Sequence, residues 1–293
     1  MKIVVPLFGL GNVMFQYAFL CELRYRYPNE ACCFFIYRKK LFDHNGYELD
    51  KLFNVEPYKG LNRVQRIWIK ILEYLGDFGF PNFFLIRKLF KVIRNEKEDS
   101  FKYFDNVFSY PNLNIAYWGM WQSPKYFIHA KDEIINTYQF NKSQISDYSN
   151  RILDKINSTN SVSIHLRRGD YTNDQYNGGF VRCCSLEYYN KAILYMEEKV
   201  ENPAFFVFSD DIEYAKMNLS ANSIFFVDGN KGEDSWQDMY LMSQCKHNII
   251  ANSTFSWWGA FLNLHQNKIA IAPKRWWYYL EKDDIIPEDW IRI

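Results

Sequence analysis

The sequence predicts an α/β fold built on parallel sheets, and the pattern of its C-terminal half is the main reason. From residue 160 onward, short apolar runs alternate with segments of helical character. The runs are SVSIHL, AFFVFSDD, SIFFVDG, HNIIANS and KIAIAP. Short buried runs divided by helices are typical of βαβ units, whose strands lie parallel in one sheet. We therefore expect an α/β layer structure in this half.

The N-terminal end begins with a unit of the same kind. Residues 2–6, KIVVP, form a β-branched run that ends in a glycine-bearing turn. In the segment that follows, Phe15, Phe19 and Leu23 recur at helical spacing, with Ala18 between them. The order strand, glycine loop and helix is thus predicted for the first unit.

A polar stretch separates the two halves. Residues 141–161 are rich in polar side chains and hold one apolar patch around Ile152, Leu153 and Ile156. Such a shift in composition is typical of a linker helix or a domain boundary. We place the boundary near residue 140, which gives domains of residues 1–140 and 141–293.

Composition excludes several function classes. The formal charge of the 293-residue chain is +1, so no global field attracts nucleic acid, and any anion site is local. The six cysteines form neither a CxxC motif nor a secreted disulfide pattern, which indicates reduced thiols. The N-terminus resembles no secretory signal, and no apolar stretch is long enough to span a bilayer. We expect a cytoplasmic protein.

One segment leaves a membrane role open. Residues 61–97 carry eight Lys/Arg against three Asp/Glu, interleaved with large apolar side chains. This pattern fits an interfacial surface that docks on anionic lipid, peripherally at the inner membrane. The alternative, which we favour, is a pair of helices packed on their own domain.

The stretch HLRRGD places charge where a buried strand ends. Side chains alternate along a strand, so His165 and Arg167 share the face opposite to Ile164 and Leu166. Ligands of open α/β sheets bind outside the carboxyl ends of strands, and the planar guanidinium fork suits phosphate. A diphosphate is the predicted ligand. The alternative is that the arginines pair with local carboxylates such as Asp170 and only close a loop.

A second strand ends in the acidic sequence FSDD. Ser209, Asp210 and Asp211 at its carboxyl edge have three possible uses. They suit ribose hydroxyls, a divalent metal beside a nucleotide diphosphate, or the cap of the next helix. Capping by one of the two acids is expected in any case, and the sequence offers no further oxygen ligands for a metal.

A third strand runs into the hydroxyl-rich sequence NSTFSWW. Asn252, Ser253, Thr254 and Ser256 lie where the next helix begins. Hydroxyls and free backbone N–H groups at a helix start bind anions, although capping alone also needs one such residue. The two tryptophans that follow are predicted to be core residues rather than a platform for sugars.

The first loop superficially resembles a dinucleotide fingerprint. In FGLGN the third glycine of that motif would fall on Met14, so a dehydrogenase is excluded. A tight turn that presents Gly11 and the Asn12 side chain to a ligand remains possible.

The arginine loop, which begins at Arg167, and the hydroxyl-rich helix start, residues 252–256, both follow strands of the C-terminal half. Together they predict one diphosphate pocket.

These motifs resemble those of the bacterial α-1,2-fucosyltransferases of glycosyltransferase family 11, and they occur in that family's order. They are GLGNVMFQYA at residues 9–18, HNGYEL at 44–49, HLRRGDY at 165–171, FSDD at 208–211 and NSTFSWWGAFL at 252–262. The family usually reads GGLGNQMFQ in the first motif. Here Phe8 replaces the first glycine and Val13 the glutamine, so this chain lacks the family's residues at those two positions.

The resemblance implies a GT-B-like α/β fold in which two Rossmann-like domains face each other across a cleft. The N-terminal domain would bind the acceptor and the C-terminal domain GDP-fucose. It also implies that Arg167 holds the diphosphate, that His165 lies beside the nucleotide and that Asp238 reads the guanine edge. The residues expected to bind the donor are Gly11, Asn12, His165, Arg167, Ser209, Asp210, Asp238, Ser253, Thr254 and Ser256.

A mechanism follows from the implied charges. Fucose departs as an oxocarbenium-like centre while GDP gains negative charge, so Arg167 and the helix-start donors stabilise the leaving group. No metal and no other cofactor are then required. His165, Arg167 and Asp170 are the expected catalytic residues, with Asp170 as the candidate base that deprotonates the acceptor hydroxyl.

The predicted activity is inverting transfer of L-fucose from GDP-fucose to the 2-hydroxyl of a terminal galactose on a surface polysaccharide or oligosaccharide. Besides a metal-dependent transferase of the other common fold, which would use Asp210 and Asp211, two alternatives remain open. One is a fucosyltransferase of another linkage, such as α-1,6. The other is a non-catalytic carbohydrate-binding protein, which would use the aromatic residues, 19% of the chain, but not the arginine and hydroxyl loops.

Overall fold

The structure is a computed structural model that describes residues 1–35, 45–55, 63, 67, 90–169, 179 and 181–293. The chain divides into two compact units, Met1–Gln139 and Phe140–Ile293. The division lies one residue from the predicted boundary. Both units combine helices with a parallel sheet, so the predicted α/β class with two Rossmann-like units is confirmed.

The sheet of the first unit has four described strands in the order β2-β1-β4-β3, and every pair is parallel. The strands are β1 (Lys2–Val5), β2 (Cys32–Phe34), β3 (Phe90–Asn95) and β4 (Asn114–Gly119). The described helices are α1 (Leu10–Arg26), α2 (Leu49–Leu52) and α3 (Lys131–Thr137). Since β4 lies beside β1, the loops that follow these two strands share one edge of the sheet.

Helix α1 forms where the sequence predicts it, and it lies deep in the first unit. Phe15, Phe19 and Leu23 are fully buried, as their helical spacing indicates. Phe19 stacks on Trp121 at a ring-centroid distance of 4.3 Å. Each such side chain contributes about 1.5–3 kcal/mol through burial. The helix therefore fixes the loop before it against the sheet.

The second unit holds six described strands in the order β10-β9-β8-β5-β6-β7, again all parallel. They are β5 (Asn160–Leu166), β6 (Pro203–Ser209), β7 (Ile224–Val227), β8 (His247–Ile249), β9 (Ala270–Ala272) and β10 (Ile291–Arg292). The first five coincide with the five apolar runs of the sequence. The helices are α4 (Asp147–Asn157), α5 (Leu186–Lys199), α6 (Ile212–Asn218), α7 (Trp236–Gln244) and α8 (Thr254–Phe261).

Strand β5 lies at the centre of the second sheet and shows the predicted alternation. Val162, Ile164 and Leu166 face the core cluster that includes Tyr189 of α5. On the opposite face, the Ser163 hydroxyl accepts a hydrogen bond of 2.8 Å from an asparagine of β8. Helix α4 covers the polar stretch predicted as a linker helix or boundary and belongs to the second unit.

The order of the strands creates a topological switch point in each unit. In the second unit, the chain runs from β5 outward to β6 and β7 and then returns to β8 on the other side of β5. In the first unit, the switch point lies at β1, because β2 lies on one side of this strand and β4 on the other. Ligands of open α/β sheets bind in the crevice at such points.

Among the described residues, no helix combines the length and the apolar character that crossing a bilayer requires. Most of residues 61–97, the segment predicted to dock on lipid or to pack on its own domain, lies outside the described residues.

Candidate functional site

Three of the predicted motifs meet at one edge of the second sheet. The strands β8, β5 and β6 are neighbours, with Ile164 opposite Ile249 and Leu166 opposite Ser209. Because the strands are parallel, the loops after all three leave from the same carboxyl edge. Two of the loops flank the switch point between β5 and β8.

His165 connects the arginine loop to the hydroxyl-rich helix. Its ring lies 6.0 Å from the ring of Phe255 in the first turn of α8. Burial, and then the neighbouring Arg167 charge, lowers the pKa of His165 to about 3. The imidazole is therefore neutral at working pH. Its Nδ1 atom is buried and has no hydrogen-bond partner among the described residues. Such an atom costs free energy unless a ligand supplies the partner.

Arg167 joins the loops after β5 and β6. Its Nη1 atom lies 3.0 Å from Oδ2 of Asp210, and both side chains are about a quarter exposed. Asp210 also accepts a hydrogen bond of 2.9 Å from the backbone N–H of Arg168. The predicted pairing with a carboxylate is thus present, but the partner described is Asp210, in the loop after the neighbouring strand β6. The exposure of the pair leaves the guanidinium at the surface of the edge.

Arg168 is turned toward a helix instead. Its Nε atom lies 3.3 Å from Oδ2 of Asp211, and its guanidinium lies 3.5 Å from the ring centroid of Tyr214. Asp211 also caps α6 by accepting from the Tyr214 N–H, so the predicted capping by one of the two acids is confirmed. Ser209 accepts from the Asp211 N–H. Arg168 therefore anchors the loop, while the Arg167 guanidinium lies beside Asp210 at the carboxyl edge.

Gly169 permits the close approach of the two loops. A Cβ atom at this position would lie 2.5 Å from Oδ2 of Asp210, well inside contact distance. The glycine of the RGD triplet therefore has a steric reason within the fold. It lets the arginine loop lie against the carboxylate that holds Arg167.

The start of α8 divides the predicted hydroxyls into two groups. Ser253 is the N-cap residue, yet its side chain caps no backbone N–H of the helix. Thr254 opens the helix and is partly exposed. Ser256 is fully buried, and its hydroxyl donates to the carbonyls of Ala251 and Ser253. Ser253 and Thr254 are thus placed at the edge, whereas Ser256 stabilises the turn from within.

The other residues of this motif are structural. Asn252 is buried and donates from Nδ2 to the Trp276 carbonyl at 2.9 Å, while its Oδ1 accepts from the thiol of Cys184. Trp257 and Trp258 are fully buried, so their prediction as core residues is confirmed. They fix the helix whose first turn carries Ser253.

Asp238 lies in the first turn of α7 and is partly buried. Burial raises its pKa to about 7, and the hydrogen bond that its Oδ1 accepts from Asn230 Nδ2 at 2.8 Å opposes the shift. Asn230 is itself held by the Ser149 hydroxyl of α4. In its ionised form, this carboxyl group can accept hydrogen bonds from paired N–H donors. The sequence signalled the aspartate but not its two supporting residues.

The remaining predicted site residues lie elsewhere. Gly11 and Asn12 belong to the first turn of α1 in the first unit. Asp170, the predicted base, lies outside the described residues. Among the described residues, no group of three His, Cys, Asp or Glu side chains is placed to hold a metal ion.

Phe8 shows the consequence of one departure from the family motif. Its backbone adopts φ 67°, the left-handed region that favours glycine. The family's glycine at this position therefore matches the backbone of the first loop. The other departure, Val13, is buried in α1.

Comparison with known proteins identifies relatives along the whole chain. An E. coli alpha-1,2-colitosyltransferase is 34% identical over 97% of this chain and 96% of its own. The E. coli O-antigen biosynthesis glycosyltransferase WbnK is 28% identical over 97% of this chain and 98% of its own. A galactoside alpha-(1,2)-fucosyltransferase 1 from Ateles belzebuth is 28% identical over 47% of this chain and 40% of its own.

Solved structures resemble this one more distantly. The fucosyltransferase NodZ from Bradyrhizobium matches with a TM-score of 0.49 and 14% identity over 88% of this chain and 91% of its own.

The family model described as glycosyl transferase family 11 matches residues 9–293. The resemblance drawn from the five motifs is thereby confirmed: the chain belongs to glycosyltransferase family 11 and is a glycosyltransferase.

Proposed function

We propose that the protein is an inverting fucosyltransferase that moves L-fucose from GDP-fucose to the 2-hydroxyl of a terminal galactose. The observation that carries the proposal is that Arg167 directly follows β5, the strand that borders the switch point, and is partly exposed at that carboxyl edge. Two residues earlier on β5, the His165 ring lies 6.0 Å from the Phe255 ring in the first turn of α8. A diphosphate at this point meets a guanidinium from one side and helix-start N–H groups from the other.

Each described residue at this edge has a defined task. Arg167 donates hydrogen bonds to the departing diphosphate, whose negative charge grows in the transition state. Asp210 orients the guanidinium through their 3.0 Å ion pair. Ser253 and Thr254 supply hydroxyls at the start of α8. His165, being neutral and buried, contributes a hydrogen bond rather than a charge.

Asp238 completes the proposed donor site by recognising guanine. Its carboxylate accepts hydrogen bonds from the N1 and N2 donors of the base, a pattern that adenine and uracil do not offer.

The proposed reaction needs no metal, because Arg167 and the helix-start donors supply the positive field at the leaving group. Full activity in excess EDTA is the expected result, and loss of activity that Mg²⁺ or Mn²⁺ restores contradicts it.

The acceptor assignment rests on the relatives. Transfer to the 2-hydroxyl of galactose is the activity in the name of the Ateles belzebuth relative. The E. coli relative is named for colitosyl transfer, so GDP-colitose is a second candidate donor. Colitose is fucose without its 3-hydroxyl group. A site that hydrogen-bonds this hydroxyl rejects the deoxy sugar strongly, whereas an apolar site discriminates only weakly.

The test is a set of transfer reactions with GDP-fucose, GDP-colitose, GDP-mannose and UDP-galactose, each with methyl β-galactoside, followed by assignment of the linkage by NMR. We expect a fucosyl group on the 2-hydroxyl, formed with the highest kcat/KM from GDP-fucose. A product on the 6-hydroxyl, or transfer from GDP-colitose alone, refutes the proposed specificity. Binding of the galactoside without binding of GDP indicates a carbohydrate-binding protein instead.

A further inference from the structure

The first unit has its own switch point, between β1 and β4. Parallel pairing places Val5 opposite Trp118, so the loops after both strands emerge side by side. The loop after β1 leads into α1. The loop after β4 is the segment 119–123, with the sequence GMWQS. These two loops carry the features that lead to the inference.

Gln122 has a buried amide that is only half satisfied. Its Nε2 atom donates to Oδ1 of Asn12, in the first turn of α1, at 2.5 Å. Its Oε1 atom is buried and has no hydrogen-bond partner among the described residues, and the residue as a whole is 4% exposed. A buried acceptor without a donor costs about 1–3 kcal/mol. A donor from outside the protein would remove that cost.

Hydrogen bonds fix the loop after β4 and therefore the position of Gln122. The N–H of Trp121 donates to Oδ1 of Asn95 at 3.0 Å, and the N–H of Met120 donates to the carbonyl of Asn95. Gln16 of α1 bridges the two loops by accepting from Leu7 N–H and donating to the Gly119 carbonyl. Both ends of the Gln16 amide are satisfied, in contrast to Gln122.

Backbone strain collects at the same edge. Of the four described non-glycine residues with positive φ, Phe8 and Trp121 lie one on each of these two loops, at 67° and 55°. Conformations of this kind cost about 1–3 kcal/mol each and persist where surrounding contacts enforce them. The fold therefore maintains strain on both sides of the Asn12–Gln122 pair.

The side chains of these two loops suit a neutral ligand. Residues 6–12 and 119–123 contain no charged side chain. Within these two loops, a charged ligand would find no side chain of opposite charge, and only the N–H groups at the start of α1 would attract an anion. Side-chain amides are suited to hydroxyl groups, because each offers both a donor and an acceptor. A sugar hydroxyl that donates to Oε1 of Gln122 satisfies the buried amide and needs no charge.

We propose that Gln122, together with Asn12, forms a subsite in the first unit that binds a hydroxyl group of the acceptor galactoside. The inference rests on the proposed function for the identity of the sugar. It assigns Asn12 to the acceptor, whereas the sequence suggested the donor nucleotide.

The test is binding of methyl β-galactoside, measured by saturation-transfer NMR in the presence of GDP, so that no turnover is needed. In Gln122→Met, the side chain keeps a similar length and loses both polar atoms of the amide. We expect the saturation-transfer signal of the galactoside to fall at least fivefold in this variant. Gln122→Glu keeps acceptor oxygens and should retain at least half of the signal. The affinity for GDP should stay within twofold in both variants.

Thermal unfolding separates binding from a merely structural role. Gln122→Met should unfold near the wild-type temperature, because the lost amide was only half satisfied and the partly exposed Asn12, which loses its donor, can accept from water instead. Gln16→Met should unfold several degrees lower, since it leaves two buried backbone groups unpaired. An undiminished galactoside signal in Gln122→Met overturns the inference, as does weaker GDP binding. Fucosyl transfer by the wild-type protein, measured separately, tests the proposed function alone.

Discussion

The Nη1 atom of Arg167 lies 3.0 Å from Oδ2 of Asp210, and this ion pair joins the loops after β5 and β6. The second carboxylate oxygen accepts from the N–H of Arg168. Asp210 thus uses both oxygens to hold the arginine loop. A partly exposed ion pair contributes only about 0–1 kcal/mol to stability. Its main effect is on the position of the guanidinium.

Asp210→Asn should reduce activity without unfolding the protein. Asparagine has one oxygen where aspartate has two, so when that oxygen accepts from the Arg168 N–H, the amide N–H groups face the guanidinium and Arg167 loses this ion pair. Displacement of a catalytic group by about 1 Å lowers the rate up to about 100-fold. We expect kcat/KM for GDP-fucose to fall about 10- to 100-fold, with the unfolding temperature nearly unchanged. Initial rates across GDP-fucose concentrations provide the measurement.

Asp211→Asn is the matched control for that variant. Asparagine caps a helix as well as aspartate does, and Asp211 contacts Arg168 rather than Arg167. Activity should stay within about threefold of wild type, in keeping with the small value of an exposed ion pair. Equal losses in the two variants would mean that Asp210 has no special role in orienting Arg167.

Gly169→Ala should act through the same carboxylate. The added methyl group would lie 2.5 Å from Oδ2 of Asp210, which must move away from Arg167. We expect a fall in kcat/KM for GDP-fucose similar to that of Asp210→Asn. In the double variant the two effects should not add, because both remove one interaction. Additive losses in this cycle argue that Gly169 serves another purpose.

Asp238 should make GDP binding depend on pH. With a pKa of about 7, the group is mostly protonated at pH 6 and mostly ionised at pH 8. Only the carboxylate accepts both guanine N–H bonds, so affinity for GDP should rise about tenfold across this range. Calorimetric titrations of wild type and Asp238→Asn provide the measurement. The variant should lose this rise and should bind inosine diphosphate as well as it binds GDP.

The same group should affect stability in the opposite direction. Its pKa is raised in the folded state, while an unfolded aspartate titrates near 4. Between these values the folded chain binds more protons, so this contribution to stability falls as pH rises from about 4 to 7. Unfolding of Asp238→Asn should show a smaller fall over that window. An unchanged profile indicates that the folded-state pKa is not raised.

Gly119→Ala should destabilise the first unit far more than a left-handed backbone alone explains. Gly119 has φ 152°, and a Cβ atom there would lie 2.2 Å from the carbonyl oxygen of Asn95. We expect a loss of about 3 kcal/mol or more. Gly232, with φ 57° and no atom within 4 Å of an added Cβ, is the control and should lose about 1 kcal/mol. Equal shifts in thermal unfolding temperature contradict the collision at Gly119.

Much of the second unit follows from local sequence. Buried parallel strands need continuous apolar runs, so β5 to β9 were each visible in the chain. The carboxyl-edge rule then placed the loops that carry Arg167, Asp210 and Ser253 on one side of the sheet. No contact between distant residues was needed for these steps, because topology follows from the order of βαβ units.

Features that depend on distant contacts were not predictable. The partner of Arg167 lies 43 residues away in sequence, and the local pattern suggested Asp170 instead. The inward position of Ser256 depends on the turn geometry at Ala251. In the first unit, polar and aromatic residues interrupt the apolar runs of β3 and β4. The sequence therefore does not show that Gln122 follows a strand.

The binding of GDP to Arg167→Lys, measured by calorimetry beside wild type, tests the central claim most directly. Lysine keeps the charge but cannot form two parallel hydrogen bonds to phosphate oxygens. We expect the dissociation constant to rise at least tenfold while the unfolding temperature stays the same, and to rise further in Arg167→Ala. Wild-type affinity for GDP in both variants would contradict the assignment of the diphosphate to Arg167.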